Sequence, residues 1–553
     1  MRLISLILLI LSSSSVFSQE DTGVINSSEI KMTGDGKLTY KYGAKIGDDP
    51  IFKDTVKVNS EVGYSFVDKK VNSDFQVKAI NAPKLKMLEP LVKLYKGYAA
   101  LGFSDFKSPP YFDLNYSTIR KRHYNAGFAL NHISQEQEIS GVKNARYTNS
   151  NAMFFGKKFY KKSTWYSSLD YDYNSFRSYG FNNTQVDGSD EKSLLFGYSI
   201  ANLQTGLKSN VKKKGKFGYD VSVIYDQFLE DQLAVAEHKV GLASNFNWKV
   251  KTNPIDFIMD VDFGSSYLNS ANTSDEHSSV VFDLGLKLNK KSEKYDVSIG
   301  VKSFFQTDNE RSLWAFPFIE ADYSFVKDVL HVFGRLTTDF SRKSYLDFVD
   351  VNPFITDRES VLTTVTKQDF MAGLKGAFNS KSSFNIGVRY KNIVDMPLYY
   401  NVGDFGYNKF QILKDDVKQR QFFAELMWDG KKLDFGVKGE YNIYDVYQNE
   451  AFHLPNVYGE LNASYNIQDK IEVGTQMFFY GKQLALESFD SQNRAITKDL
   501  DPIFDFNFNV KYNYSKRLGA FLKVNNILNT KHVRWDQYSS YGLNFLFGVG
   551  YSF

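Results

Sequence analysis

The sequence predicts an all-β fold, a transmembrane antiparallel β-barrel of roughly twenty-two strands. Three observations predict it. A period-two alternation of apolar and polar residues recurs along most of the chain, aromatic rings are unusually abundant, and the connections alternate between short and long.

The alternation is plainest in "IFDFNFNVKY", where Phe504, Phe506, Phe508, Val510 and Tyr512 share one face and Asp505, Asn507, Asn509 and Lys511 the other. The stretches "LDFGVKGEYNI", "FNIGVRYK", "YDVSIGVK" and "IDFIMDVDF" repeat it. Successive side chains of a strand point to opposite faces, so each stretch has one greasy wall and one polar wall. The polar wall carries too many charges to be the dry core of a sandwich, because an unpaired buried charge is costly. Helical periodicity is nearly absent.

Aromatics make up 16% of the 553 residues, with 48 Phe and 36 Tyr, yet the mean hydropathy is −0.37. A lipid-facing band with interfacial girdles around a polar interior reconciles the two values. The formal charge of +4 does not point to nucleic acid, and the absence of cysteine removes disulfides, thiolate chemistry and a lipoprotein anchor.

In chain order, residues 1–18 read as a secretory signal: Arg2 is the basic end, "LISLILLIL" the apolar core and Ser18 the small residue at the cleavage site. That run is shorter than the ~20 residues a membrane helix needs. Residues 19–92 are expected to form a periplasmic leader, partly packed at or in the barrel mouth. "VGYSFV" and "SDFQVKAI" alternate like strands, and Pro83 and Pro90 interrupt the segment after them. Residues 19–50 are expected to stay mobile and part of 54–92 to fold against the barrel. Residues 93–553 are the barrel.

Within 93–553 the short connections include "TIRKRH", "YKKS", "NVKKKGK", "NKKSEK", "VKD", "SKSS", "DGKK", "QDK" and "SKR". The long ones are 134–148, 174–190, 341–366, 395–416 and 482–499. The short turns are basic, with Lys121 and Arg122, Lys431 and Lys432, and Lys516 and Arg517 among them, whereas the long connections carry Glu136, Glu138, Asp187, Asp275, Asp357 and Asp415. Basic turns suit the anionic inner-leaflet headgroups, which places both termini in the periplasm of a Gram-negative cell. Phe348, Phe354, Tyr399, Tyr400 and Phe405 are expected to close the outer end or to hold a partner.

The polar wall supplies the lumen-lining candidates Asp256, Asp260, Asp262, Glu320, Asp322, Arg335, Arg389, Lys438 and Glu440, with Lys302, Lys375 and Lys511 beside them. They read either as a permeation path or as charge pairs that pack against loops. No catalytic residue, cofactor site or metal site is read. The seven histidines form no metal-binding spacing, and "VDGSDE" lacks the terminal Glu of a calcium loop. The reading is therefore a non-enzyme.

The chain ends in "YGLNFLFGVGYSF", alternating up to a terminal Phe. This resembles the C-terminal assembly signal of outer-membrane barrels, with Tyr551 and Phe553 at its most specific positions. Just upstream, "FLKVNNILNTKHVRW" resembles the penultimate strand of TonB-dependent receptors, matched by Asn526, Ile527, Leu528 and Asn529. The resemblance implies an outer-membrane barrel that the barrel-insertion machinery recognises. Where those receptors carry a plug of well over a hundred residues, only 19–92 precede this barrel. "DTVKV" at 54–58 is similar to a TonB box but reads first as a periplasmic leader strand.

Transport or permeation, as a plug-less relative or gated porin, is the function implied. The alternative is a non-transporting scaffold subunit of a larger secretion or protein-assembly complex. The partners expected are outer-membrane lipid, the insertion machinery and other outer-membrane or surface proteins.

Overall fold

The computed structural model describes residues 94–553 apart from 105–109, 120, 140–141, 178–194, 211–215, 231–234, 251–254, 271–276, 308–311, 328, 356–361, 402–409 and 493. The signal, the leader 19–92, the TonB-box-like stretch, Phe405, Asp187, Asp275 and Asp357 lie outside the described residues.

The first strands are β1 (Gly97–Phe103), β2 (Tyr111–Ser117), β3 (Tyr124–Ile139), β4 (Val142–Phe159), β5 (Ser163–Arg177), β6 (Leu195–Ser209) and β7 (Phe217–Glu230). Next come β8 (Val235–Lys249), β9 (Ile255–Ser270), β10 (His277–Lys291), β11 (Tyr295–Gln306), β12 (Ser312–Val326) and β13 (Leu330–Lys343). A short helix, α1 (Tyr345–Val351), precedes β14 (Leu362–Asn379), β15 (Ser382–Tyr400), β16 (Gln411–Asp429), β17 (Leu433–Val446), β18 (Val457–Ile467) and β19 (Ile471–Tyr480). The chain closes with β20 (Gln483–Phe489), β21 (Ala495–Leu500), β22 (Ile503–Asn513), β23 (Leu518–Asn525), β24 (Val533–Trp535), β25 (Tyr538–Ser539) and β26 (Asn544–Ser552).

Twenty-two of these strands form one closed antiparallel sheet, while β20 with β21 and β24 with β25 make two small hairpins. Closure is made by β26, which pairs with β23 on one side and with β1 on the other, from Tyr98↔Ser552 to Phe103↔Phe547. A closed sheet is the one β solution that leaves no edge in lipid. At the seam the Phe553 carbonyl accepts from Lys96 N (2.7 Å) and Gly97 N (3.0 Å), and Phe553 N donates to Gly97 O (2.9 Å). A Cβ on residue 97 would lie 2.3 Å from the Phe553 ring, so any larger residue there requires that ring to move.

The register carries one face assignment consistently around the closed sheet. Leu101, Phe154, Phe422, Phe504 and Val549 are exposed on the outer face, whereas Asp505 is buried on the inner one. Near the short turns Trp165, Phe217, Trp248, Tyr323, Tyr465, Tyr512 and Tyr551 are exposed, an aromatic girdle beside the basic turns. The nine quoted short turns all join strands at the end that also holds Gly97 and Phe553. In the Asn526 to Asn529 element, both asparagines have positive φ (49° and 53°), a region asparagine tolerates. Asn526 Nδ2 donates to Thr530 O (2.7 Å) and Tyr541 O (2.9 Å), and Asn529 Oδ1 accepts from Leu543 N (2.8 Å). The motif is a clasp that starts the last strand.

Several of the long connections hold more strand than the sequence indicates. Within 134–148 the strands run to Ile139 and restart at Val142, so Glu136 and Glu138 belong to β3. Residues 395–400 extend β15 and 411–416 begin β16, which puts Asp415 and Asp416 in a strand. Similarly, 174–177 complete β5, and 482–499 hold a hairpin. Above the greasy band these strands lose their apolar face, and with it the signal that distinguishes strand from loop.

Phe506→Lys, on the outward face of β22, is expected to destabilise the barrel by about 2–4 kcal/mol. Asn507 is not the neutral inner control that alternation alone indicates, because its Oδ1 accepts from Asn526 N (2.9 Å). Asn509→Lys is the better control and is expected to cost well under half as much. Urea unfolding of vesicle-embedded protein measures both, and equal losses would contradict the face assignment.

Candidate functional site

Every lumen candidate lies on the inner face by register, and most meet a partner on the same or a neighbouring strand. Asp256 pairs with Lys249 (3.6 Å), Asp260 with Lys287 (3.5 Å) and Lys438 with Glu440 (2.9 Å). Asp322 holds Lys375 (2.7 Å) and His331 (2.8 Å), and Arg335 Nη1 lies 3.9 Å from Glu320. Arg389 grips Asp369 through both Nε (2.7 Å) and Nη2. Asp262 accepts from Ser244 N (3.3 Å). Partners one strand apart need no long-range information, because direct opposition in an antiparallel ladder brings side chains together. The candidates therefore form a charged belt rather than one convergent site.

What converges is the loop end. Ser344 caps α1, with Asp347 Oδ2 accepting from Ser344 N (2.7 Å), and the helix reaches β8, five strands from β13. There Lys239 of β8 binds Asp347 (3.2 Å), and Glu237 accepts from Leu346 N (3.1 Å). Tyr345 packs edge-on to Phe228 (5.5 Å), and Phe354 contacts Phe176 edge-on (5.5 Å) and stacks on Tyr538 (3.7 Å). Trp535 meets Tyr399 and Phe410, each at 5.5 Å, and the Tyr541 hydroxyl donates to Ala145 O (2.6 Å). Phe348, Phe354 and Tyr399 are thus buried in one apolar cluster that spans the lumen. Each large side chain so buried contributes about 1.5–3 kcal/mol, so the cap is a core and not a loose lid.

Beneath α1 lies a cavity of ≈ 330 Å³ bordered by Ile224, Asp226, Lys239, Asp262, Asp283 and Ser344. Asp262 and Asp283 stand directly opposite each other on β9 and β10. Of the lumen candidates, only Asp262 borders this cavity. Asp283, Lys239 and the Arg534–His453 contact escape the sequence reading. In sequence, "KHVRW" carries only the family likeness.

Two cap histidines are held neutral. Burial first, then Arg534, pushes His453 down to about 3, and burial pushes His532 down to about 4. Both values lie below the unfolded value of about 6.5, so each contribution is complete above that pH and is lost as pH falls toward the folded value. By pH 5 each histidine weakens the cap by roughly 2 kcal/mol. Hydrogen exchange in 447–456 and 526–541, corrected for intrinsic rate, is expected to accelerate from pH 7.5 to pH 5. Unchanged protection would contradict a cap held by neutral histidines.

No family model matches the sequence, and no curated protein sequence matches it. The fold is similar to that of the siderophore receptor PirA from Acinetobacter baumannii: TM-score 0.64, 10% identity, 83% of this chain and 80% of that one. It is similar to the FrpB iron transporter from Neisseria meningitidis as well, with TM-score 0.65, 10% identity and coverage of 84% and 82%. The pyoverdine outer membrane receptor FpvA from Pseudomonas aeruginosa gives TM-score 0.62, 11% identity and coverage of 83% and 78%. The chain is thus a closed barrel resembling those of TonB-dependent receptors.

Proposed function

We propose that this chain is an outer-membrane barrel that carries a solute across the outer membrane, with its lumen shut at rest by its own loops. Supporting this above all is the charged belt: Lys249–Asp256, Lys287–Asp260, Lys375–Asp322, Arg389–Asp369 and Lys438–Glu440 line the inner wall with exchangeable polar contacts. The basic turns and the girdle beside them favour a periplasmic position for that end and for both termini. The likeness to a siderophore receptor and an iron transporter favours uptake over catalysis. Lipid and the insertion machinery are its expected partners.

One observation favours the second reading, a scaffold subunit of a larger complex. The cap buries Phe348, Phe354, Phe410, Trp535 and Tyr538 together, and opening it would expose them all. Purification in mild detergent, with mass spectrometry of co-purifying chains and a solute-flux assay in proteoliposomes, separates the two. The protein alone with measurable flux supports transport. A stoichiometric partner without flux supports the scaffold.

A further inference from the structure

We propose that Arg534 anchors a carboxylate-binding site opening on the lumen just below the loop cap. Arg534 lies on β24, with its guanidinium over the rings of Tyr480 (5.6 Å) and Trp535 (5.1 Å). Its hydrogen bonds all leave from Nη1, to His453 O (2.6 Å) and to Gln483 Oε1. Nε is buried without a partner, and no carboxylate lies within ion-pair distance among the described residues. A buried charge is normally paired, because desolvation is costly when nothing repays it.

The surroundings point the same way. Gln483, Trp535 and His453 are only 1%, 3% and 2% exposed, yet Gln483 Nε2, Trp535 Nε1 and both His453 ring nitrogens lack partners. The acceptors at hand, Gln483 Oε1 and His453 O, already serve Nη1. Of the acids on the adjoining wall, Glu440 is engaged with Lys438 and Gln421 and Glu460 with Tyr458 and Asn462, while Asp505, whose Oδ2 accepts from Asn507, forms no ion pair with Arg534. A neutral His453 offers one donor and one acceptor, so with Arg534 Nε, Gln483 Nε2 and Trp535 Nε1 the unpartnered donors still outnumber the acceptors around a fixed positive charge, and the complement is an anion.

Geometry selects the carboxylate. In this same barrel Arg389 holds Asp369 through its Nε and Nη2 edge. Among the described residues Arg534 turns the equivalent edge to no hydrogen-bond acceptor, and that fork matches a planar two-oxygen anion. Tyr480 and Trp535, over whose faces the guanidinium lies, hold the plane of that fork, which suits a planar acid better than a tetrahedral phosphate. Arg534 is partly exposed as a residue although its Nε is buried, so a ligand would meet the exposed part of the guanidinium first and engage Nε by a shift of the side chain.

The test is calorimetric titration of benzoate onto the full-length, detergent-purified, heat-modifiable barrel. Because binding is read without flux, its failure leaves the transport reading untouched, and the reverse holds too. The expected result is one saturable site per chain, weakened about tenfold or more by Arg534→Gln. Arg420→Gln, which removes an exposed partner of Asp445, should leave affinity within about twofold. If Arg534→Gln does not assemble, Gln483→Leu carries the test, and loss of the amide donor should weaken binding several-fold. Absence of saturable binding to the wild type, equal affinity in the Arg534 or Gln483 variant, or tighter binding of inorganic phosphate than of benzoate would each overturn the assignment.

Discussion

Replacing Phe553 with aspartate is expected to cut membrane-integrated, heat-modifiable protein by far more than tenfold. The thermodynamic part of that effect is small, since one carboxylate near the interface costs at most about 1 kcal/mol, less than the 1.4 kcal/mol of a tenfold change. The rest comes from closure. Phe553 makes three backbone bonds across the seam to Lys96 and Gly97, its ring lies over Gly97, and it stacks on Tyr551 at 6.4 Å. A last strand that fails to pair leaves a row of unsatisfied amides in lipid, each costing several kcal/mol. Gel shift of membrane fractions before and after heating reads the outcome. Wild-type levels in the variant would contradict the assembly role of Tyr551 and Phe553.

Exchanging Tyr345–Ile355 for a Gly-Ser linker of equal length is expected to turn a silent barrel into a steady, large pore in a planar bilayer. Barrels of about twenty-two strands enclose a lumen that must be filled to be tight. In this chain α1 and the residues after it cross that lumen, tied down by Lys239–Asp347 and by packing against Phe176 and Phe228. A milder variant, Lys239→Ala, should give brief openings only, since one partly exposed pair is worth about 1 kcal/mol against an apolar core. If the wild type already conducts steadily, the cap does not occlude. If the linker variant stays silent, the block belongs to the β24–β25 hairpin or to residues 19–92.

The sequence made the wall legible because lipid imposes a two-residue period on it: the Phe504 to Tyr512 series, the short turns and the closing alternation are all local signals. The belt partners were half legible. Lys438 and Glu440 are two apart, but Asp322 and Lys375 meet only because β13 stands between their strands. The cap left almost no trace. Tyr541 and Ala145 are 396 residues apart and meet only because the closed seam brings β4 within four strands of β26, and no periodicity records such a contact. Ser344 and Asp347 do have capping-box spacing, yet a helix of seven residues is too short to show a period. Arg534 reads as an ordinary strand cation until three separate loops are folded around it.

The wall is uneven in height. β1 and β2 have seven residues each, while β15 and β16 have nineteen. At ~3.4 Å per residue and a tilt near 40°, the tall strands rise roughly 50 Å and the short ones roughly 18 Å. The greasy band of such barrels is about 25 Å tall, so β1 and β2 fall short of its height while the tall strands extend well beyond it. The molecule thus presents a parapet with one gap. A bulky molecule approaching from the loop end would meet the least strand over β1 and β2 and the most over β15 and β16.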